Sequence, residues 1–161
     1  MNDAAGRWPT VFPHLRYEKP GEMIDWLTTA FAFKEIARLE RPDGGIVVSQ
    51  LTGPAGGLVM VATLDDDFRH WVHERVPDQR DGTEPWPHLA FATSFLVDDV
   101  DAHADGARRA GATLLTEPTD QPWGLRTYAV IDPEGQHWQF AQLLRDVEPE
   151  EWGATRIRAS P

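Results

Sequence analysis

The chain has 161 residues, 41% of them hydrophobic and 25% charged, the proportions of one soluble globular domain long enough to bury a sizeable core. Fifteen basic residues stand against 26 acidic ones, and the net charge of −11 has the wrong sign for a protein that holds nucleic acid by neutralising phosphates. The absence of cysteine excludes disulfides, thiolate metal sites and cysteine nucleophiles, and no apolar run approaches the ~20 residues that cross a bilayer.

With no apolar stretch typical of a secretory signal near Met1, a cytoplasmic protein is expected. In chain order, Thr10 to Tyr17 alternates and is rich in β-branched and aromatic residues, which predicts a strand. From Pro20 the period changes: Met23, Trp26, Leu27, Ala30 and Phe31 fall on one face of an amphipathic helix. Lys34 to Leu39, Ile46 to Leu51 and Leu58 to Leu64 read as three strands separated by turn-rich segments at 41–45 and 52–57. The unit is βαβββ.

A second unit follows. Ala92 to Val97 reads as a strand, Asp98 or Asp99 caps a helix that runs to about Ala110, and Gly111 stops it. Thr113 to Thr116, Leu125 to Ile131 and Gln136 to Leu143 supply three more strands, with Asp132-Pro133-Glu134-Gly135 fitting a type I turn. An offset of 79 residues lays the second unit over the first, matching the helix starts and the last strands. The whole chain, 1–161, is thus one domain: module one at about 10–64, a connector at 65–91, module two at about 92–144 and a tail at 145–161. The connector carries a short helix at 66–76 and the polar loop Glu84-Pro85-Trp86-Pro87-His88. The tail, acidic and poor in apolar residues, is expected to be loosely held.

Taken together, Val97-Asp98-Asp99-Val100-Asp101, Ala110-Gly111-Ala112, Pro122-Trp123-Gly124-Leu125-Arg126 and Asp132-Pro133-Glu134-Gly135-Gln136-His137-Trp138 resemble the vicinal oxygen chelate superfamily. That group includes glyoxalase I, bleomycin-resistance proteins and extradiol dioxygenases. The resemblance spans about Thr10 to Leu144, and the first half agrees through Pro13, Met23-Ile24-Asp25-Trp26-Leu27, Ala30-Phe31-Ala32-Phe33 and Pro42-Asp43-Gly44. It implies an α+β fold in which two paired βαβββ modules form a cupped mixed sheet around a cleft, and a homodimer.

In the metalloenzymes of this superfamily, one side chain from the first and last strand of each module holds a divalent ion. The corresponding positions here are Phe12, Met60, Ala92 and Gln139, of which only Gln139 could coordinate a hard or borderline cation. No metal or cofactor is therefore expected. The alternative is a displaced divalent site built from His14, His137 and Gln139, since His14 shares a strand face with Phe12. The resemblance implies a metal-free binder of aromatic small molecules, with Phe12, Met60, Trp123 and Tyr128 as apolar contacts and His14, His137 and Gln139 as polar ones. The competing reading is a glyoxalase-like lyase or isomerase, with His14 and His137 as general acid and base if no metal is present. Trp86 is a further loop aromatic that could line a cleft. Arg126 is read as pairing with the abundant carboxylates, and His70 and His73 as a wet helix face rather than a zinc motif.

Overall fold

The computed structural model describes residues 9–75 and 91–157, with side chains of the connector helix followed only as far as His70. Module one runs β1 (His14–Tyr17), α1 (Pro20–Phe31), β2 (Lys34–Glu40), β3 (Ile46–Thr52) and β4 (Leu58–Thr63). After the connector helix α2 (Asp66–Arg75), module two runs β5 (Thr93–Leu96), α3 (Val100–Arg109), β6 (Thr113–Asp120), β7 (Leu125–Ile131) and β8 (His137–Leu143). The expected pair of βαβββ units is present. Its predicted loop and apolar positions at Val76 and Trp86 lie outside the described residues.

Each helix forms for reasons visible in its ends. Pro20 opens α1, where its missing N–H costs nothing, and Met23, Ile24, Leu27, Ala30 and Phe31 make its buried stripe. In α3 the Asp99 carboxylate accepts from the Ala102 N–H at 2.9 Å, and the Gln142 side chain accepts from the Val100 N–H at 3.1 Å, so free donors at the helix start are met. Arg108 and Arg109 sit in its last turn, where a cation suits the helix dipole. The chain leaves the two helices through left-handed residues exactly one repeat apart, Ala32 (φ 55°) and Gly111 (φ 85°). Glycine is the ordinary choice there, and alanine in that conformation costs roughly 1 kcal/mol.

The strands form two four-stranded mixed sheets, ordered β1-β4-β3-β2 and β5-β8-β7-β6. In each, the first strand pairs in parallel with the last, and the remaining pairs are antiparallel. Both sheets turn one face toward a single core. Leu15, Tyr17, Val59 and Val61 from the first sheet and Phe95, Tyr128, Trp138 and Phe140 from the second belong to one buried cluster with α1 and α3. Phe31 packs its ring 4.7 Å from Phe140, and Phe33, just before β2, packs 4.9 Å from Phe95. Aromatic edges and faces therefore stitch module one onto module two.

Three boundaries differ from the sequence reading. β1 begins at His14, because Pro13 has no N–H to give a ladder and residues 10–12 are exposed. β6 extends to Asp120 through two register shifts around Thr116, which absorb Pro118. The tail is tied down through Arg156. Leu144 N–H donates to the Gly124 carbonyl at 2.9 Å, Pro149–Trp152 forms a 3₁₀ turn with a reciprocal capping box, and Trp152 meets Trp123 edge-on. A side chain at Gly124 would meet the Arg145 carbonyl at 2.2 Å, so the tail seats only against glycine.

A buried acid joins the modules. The Asp132 carboxylate, 3% exposed, accepts from the Tyr17 hydroxyl at 2.6 Å and the Trp138 indole N–H at 2.9 Å on one oxygen. Its other oxygen accepts the backbone N–H groups of Glu134 and Gln136. Asp132→Asn puts an amide N–H₂ against donors or strips the backbone bonds, whichever way the amide turns. It is expected to cost about 2–4 kcal/mol in urea unfolding, and a variant as stable as the parent would show that this node is not structural.

Candidate functional site

Because side chains alternate along a strand, each sheet has a second face turned away from the core. On module one that open face carries His14 and Arg16 from β1, in register with Met60 and Ala62 of β4, and Gln50 of β3 opposite Met60. On module two it carries Ser94 and Leu96 from β5 and His137 and Gln139 from β8, with Ser94 in register with Gln139. The structure thus brings His14 beside Met60 and sets His137 two residues from Gln139. The two pairs lie in different sheets.

Each polar group has its own environment. Partial burial, with the Arg16 guanidinium nearby, holds the His14 imidazole below its usual titration range, so it is neutral at pH 7. Arg16 donates from Nη1 to the Thr63 carbonyl at 2.9 Å and lies 3.9 Å from the centroid of the Phe68 ring, which α2 lays over this end of the face. Gln139 Oε1 accepts from the Ser94 hydroxyl at 3.5 Å. His137 is different: both ring nitrogens are shut off from water and neither has a hydrogen-bond partner among the described residues. Such atoms are rare in folded proteins.

Where the start of module one passes β5, a groove of about 500 Å³ opens between Phe12, Pro13, Leu58, Ala92 and Leu96. Phe12 and Ala92, which the resemblance sets at the metal positions, both line it. Two other expected contacts do not join them. Tyr128 is fully buried on the core face of β7, stacked on Phe140, with its hydroxyl 2.7 Å from His103 Nδ1. It is a core residue, because its position in β7 shares the parity of Val130 rather than of Ala129, which faces Gln139's side of the sheet. Trp123 stands in the β6–β7 turn against Trp152 of the tail, a tail-packing residue. Arg126 pairs bidentately with Asp101 at 2.8 and 2.9 Å and with Asp120 at 2.6 Å, as the sequence reading expects.

The donor chemistry does not suit a divalent ion. Phe12, Met60 and Ala92 offer no hard ligand, His14 lies in a different sheet from His137 and Gln139, and no three His, Asp or Glu side chains gather among the described residues. No helix of the described residues is long and apolar enough to cross a membrane.

The family model for the glyoxalase/bleomycin resistance protein/dioxygenase superfamily matches residues 11–140. The chain belongs to that superfamily. Proteins of Mycobacterium bovis and Mycobacterium tuberculosis, both described as uncharacterized, are 34% identical to it over 145 residues, 89% of this chain and 89% and 79% of theirs. Among solved structures, TioX from Micromonospora sp. ML1 shares 29% identity with a TM-score of 0.61, covering 84% of this chain and 99% of that one. TnmS3 from Streptomyces sp. CB03234, described as an antibiotic binding protein, is 16% identical with a TM-score of 0.57, covering 82% and 93%, and shows the shared fold. The last strand of each module carries Met60 or Gln139 on the open face.

Sequence reasoning missed Arg16 and Ser94, although strand alternation already places Arg16 on the face of His14. It also missed His103, which sits three residues after Val100 on the buried stripe of α3. Since the Phe31 carbonyl can only accept, His103 Nε2–H donates to it at 3.2 Å and Nδ1 accepts the Tyr128 hydroxyl. Burial lowers this imidazole's pKa, so the unfolded chain binds more protons just below its free value of about 6.5. Stability is complete above that value and falls as pH drops below it. Urea unfolding of the parent should weaken between pH 7.5 and 5.5 more steeply than that of His103→Gln. Equal slopes would remove His103 from the cause and leave His14, whose shift has the same sign.

Proposed function

We propose that this protein binds a planar or aromatic small molecule on its open sheet faces without a metal or cofactor. The observation that carries the reading is His137, with both nitrogens desolvated and unpartnered on the face that also presents Gln139. An unmet polar group of this kind costs about 1–3 kcal/mol, and a ligand recovers it when the His137 ring, closed to water in the free chain, turns outward to meet a partner. Met60 and Phe12 stand where a metalloenzyme of this fold places donors, and they favour contact with an organic ring system. The fold likeness to TnmS3, an antibiotic binding protein, supports the same class of activity.

The reading extends to a homodimer. Leu96 is 56% and Leu143 58% exposed on the open face of module two, and a second copy laid over them would both cover apolar surface and enclose the ligand. Light scattering at micromolar concentration is expected to give twice the 18.1 kDa chain mass. A mass near one chain would refute the dimer.

Binding is read by quenching of tryptophan fluorescence across a panel of aromatic antibiotics and metabolites. His137→Leu separates function from stability: the free protein should gain about 1 kcal/mol against urea while affinity for any bound compound falls by about 1–3 kcal/mol. Gln139→Ala should weaken binding similarly. A panel in which nothing binds better than millimolar, or a His137→Leu protein that is destabilised yet binds normally, would overturn the proposal.

A further inference from the structure

The open face of module one holds a cation for which the described residues supply no counter-charge. Among the described arginines, Arg38, Arg41, Arg69, Arg108, Arg126, Arg145 and Arg156 each lie within 4.0 Å of a carboxylate oxygen. In a chain with a net charge of −11 that is the ordinary outcome. Arg109 is exposed at the end of α3, where the helix dipole and water serve it. Arg16 has neither arrangement. It is half-buried in β1, its guanidinium meets one backbone carbonyl and the Phe68 ring, and among the described residues no acid lies within ion-pair distance of it. Glu18, the carboxylate one strand repeat further on, is taken by Arg69.

The guanidinium is also held in place. The bond to Thr63 fixes one nitrogen and the Phe68 ring covers one face, which leaves the remaining N–H edge as a positioned fork. His14 shares its face two residues away and presents a neutral imidazole beside it. A carboxylate or sulfonate is the group whose planar or forked oxygens match such an edge, and its charge supplies what the protein omits.

We propose that Arg16 recognises an oxyanion on the aromatic ligand, so that the ligand class is planar organic anions rather than neutral or cationic ring systems. This rests on the binding reading above and makes it specific. Arg16 takes the charged group, His14 flanks it, and the ring system extends over Met60 toward the polar side chains of module two.

The test uses two fluorescent probes with the same ring skeleton, 8-anilinonaphthalene-1-sulfonate and the uncharged N-phenyl-1-naphthylamine, titrated into the full chain and into Arg16→Met and Arg16→Lys. The parent is expected to favour the sulfonate by roughly fivefold or more, and added salt to weaken the sulfonate alone. Arg16→Met keeps the apolar stem and should lower sulfonate affinity about tenfold while changing the neutral probe less than about twofold. Arg16→Lys should fall between, since it keeps the charge without the fork. Equal losses for both probes, or a parent that binds the neutral probe as well as the sulfonate, overturns the inference and leaves the binding reading standing. A parent that binds neither probe overturns both. Thermal melts identify a variant that fails to fold, and in that case the salt series on the parent decides, because a sulfonate affinity indifferent to salt is incompatible with recognition by Arg16.

Discussion

The architecture depends on one buried carboxylate. Asp132 sits in the turn before β8, yet its strongest partner is Tyr17, 115 positions earlier at the end of β1. Desolvation raises its pKa, and four donated hydrogen bonds oppose that rise, so the group is tolerable only while module one is docked. The same turn reaches further: the Glu134 carboxylate accepts the N–H groups of Glu18 and Lys19 at 2.6 and 2.9 Å, just ahead of α1. Lys19 gives α1 no side-chain cap, so the start of one module's helix is organised by the other module's turn. On the repeat-related side the contact is apolar. Phe95 lies against Gly53 and Gly57, where any added side chain would strike its ring. The two seams occupy equivalent places and use opposite chemistry, one a saturated polar node and the other an aromatic ring against bare backbone.

This docking decides what remains for function. The core consumes the inner face of both sheets, including Trp138, Phe140 and Tyr128, and whatever the molecule recognises must meet the outer faces or the groove at the seam. Those faces are not equivalent. Module one contributes Arg16 and His14, and module two contributes His137, Gln139 and Ser94. The two related halves thus present different chemistry, with a guanidinium on one face only.

Much of the fold was legible because periodicity is a strong signal where one face of an element is buried. The stripe of α1, the capped start of α3, the Asp132 turn and the 79-residue repeat all express local rules that the tertiary structure obeys. The site was less legible, and Tyr128 shows why. β7 carries the charged Arg126 on the same parity as Tyr128 and apolar or weakly polar residues elsewhere, so its sequence does not say which parity faces the helices, and a one-residue choice of face moves a residue from cleft to core. Trp123 failed differently: its partner Trp152 is 29 positions away in a tail whose composition suggests disorder, and only the conformation of Gly124 lets the two meet. His14, Met60, His137 and Gln139 lie on the faces turned from the core because they belong to strands whose other face is plainly apolar, and Phe12 precedes β1 at the groove.

The departures from local consistency also have a pattern. Ala32 holds a backbone conformation that its repeat counterpart gives to glycine, and it lies between Phe31 and Phe33, the two rings that enter module two's core. Strain there belongs to docking, since the sharp reversal after α1 is what carries both rings across. His137 and Arg16 are frustrated in another sense. Among the described residues one lacks hydrogen-bond partners and the other a counter-charge, and neither deficit is made good by the packing around it. A folded chain can carry an alanine in a left-handed turn when well-packed rings repay it, but unmet polarity on two open faces gains the fold nothing. Its persistence makes physical sense where those groups meet a partner from outside the chain, as the proposed binding reading requires.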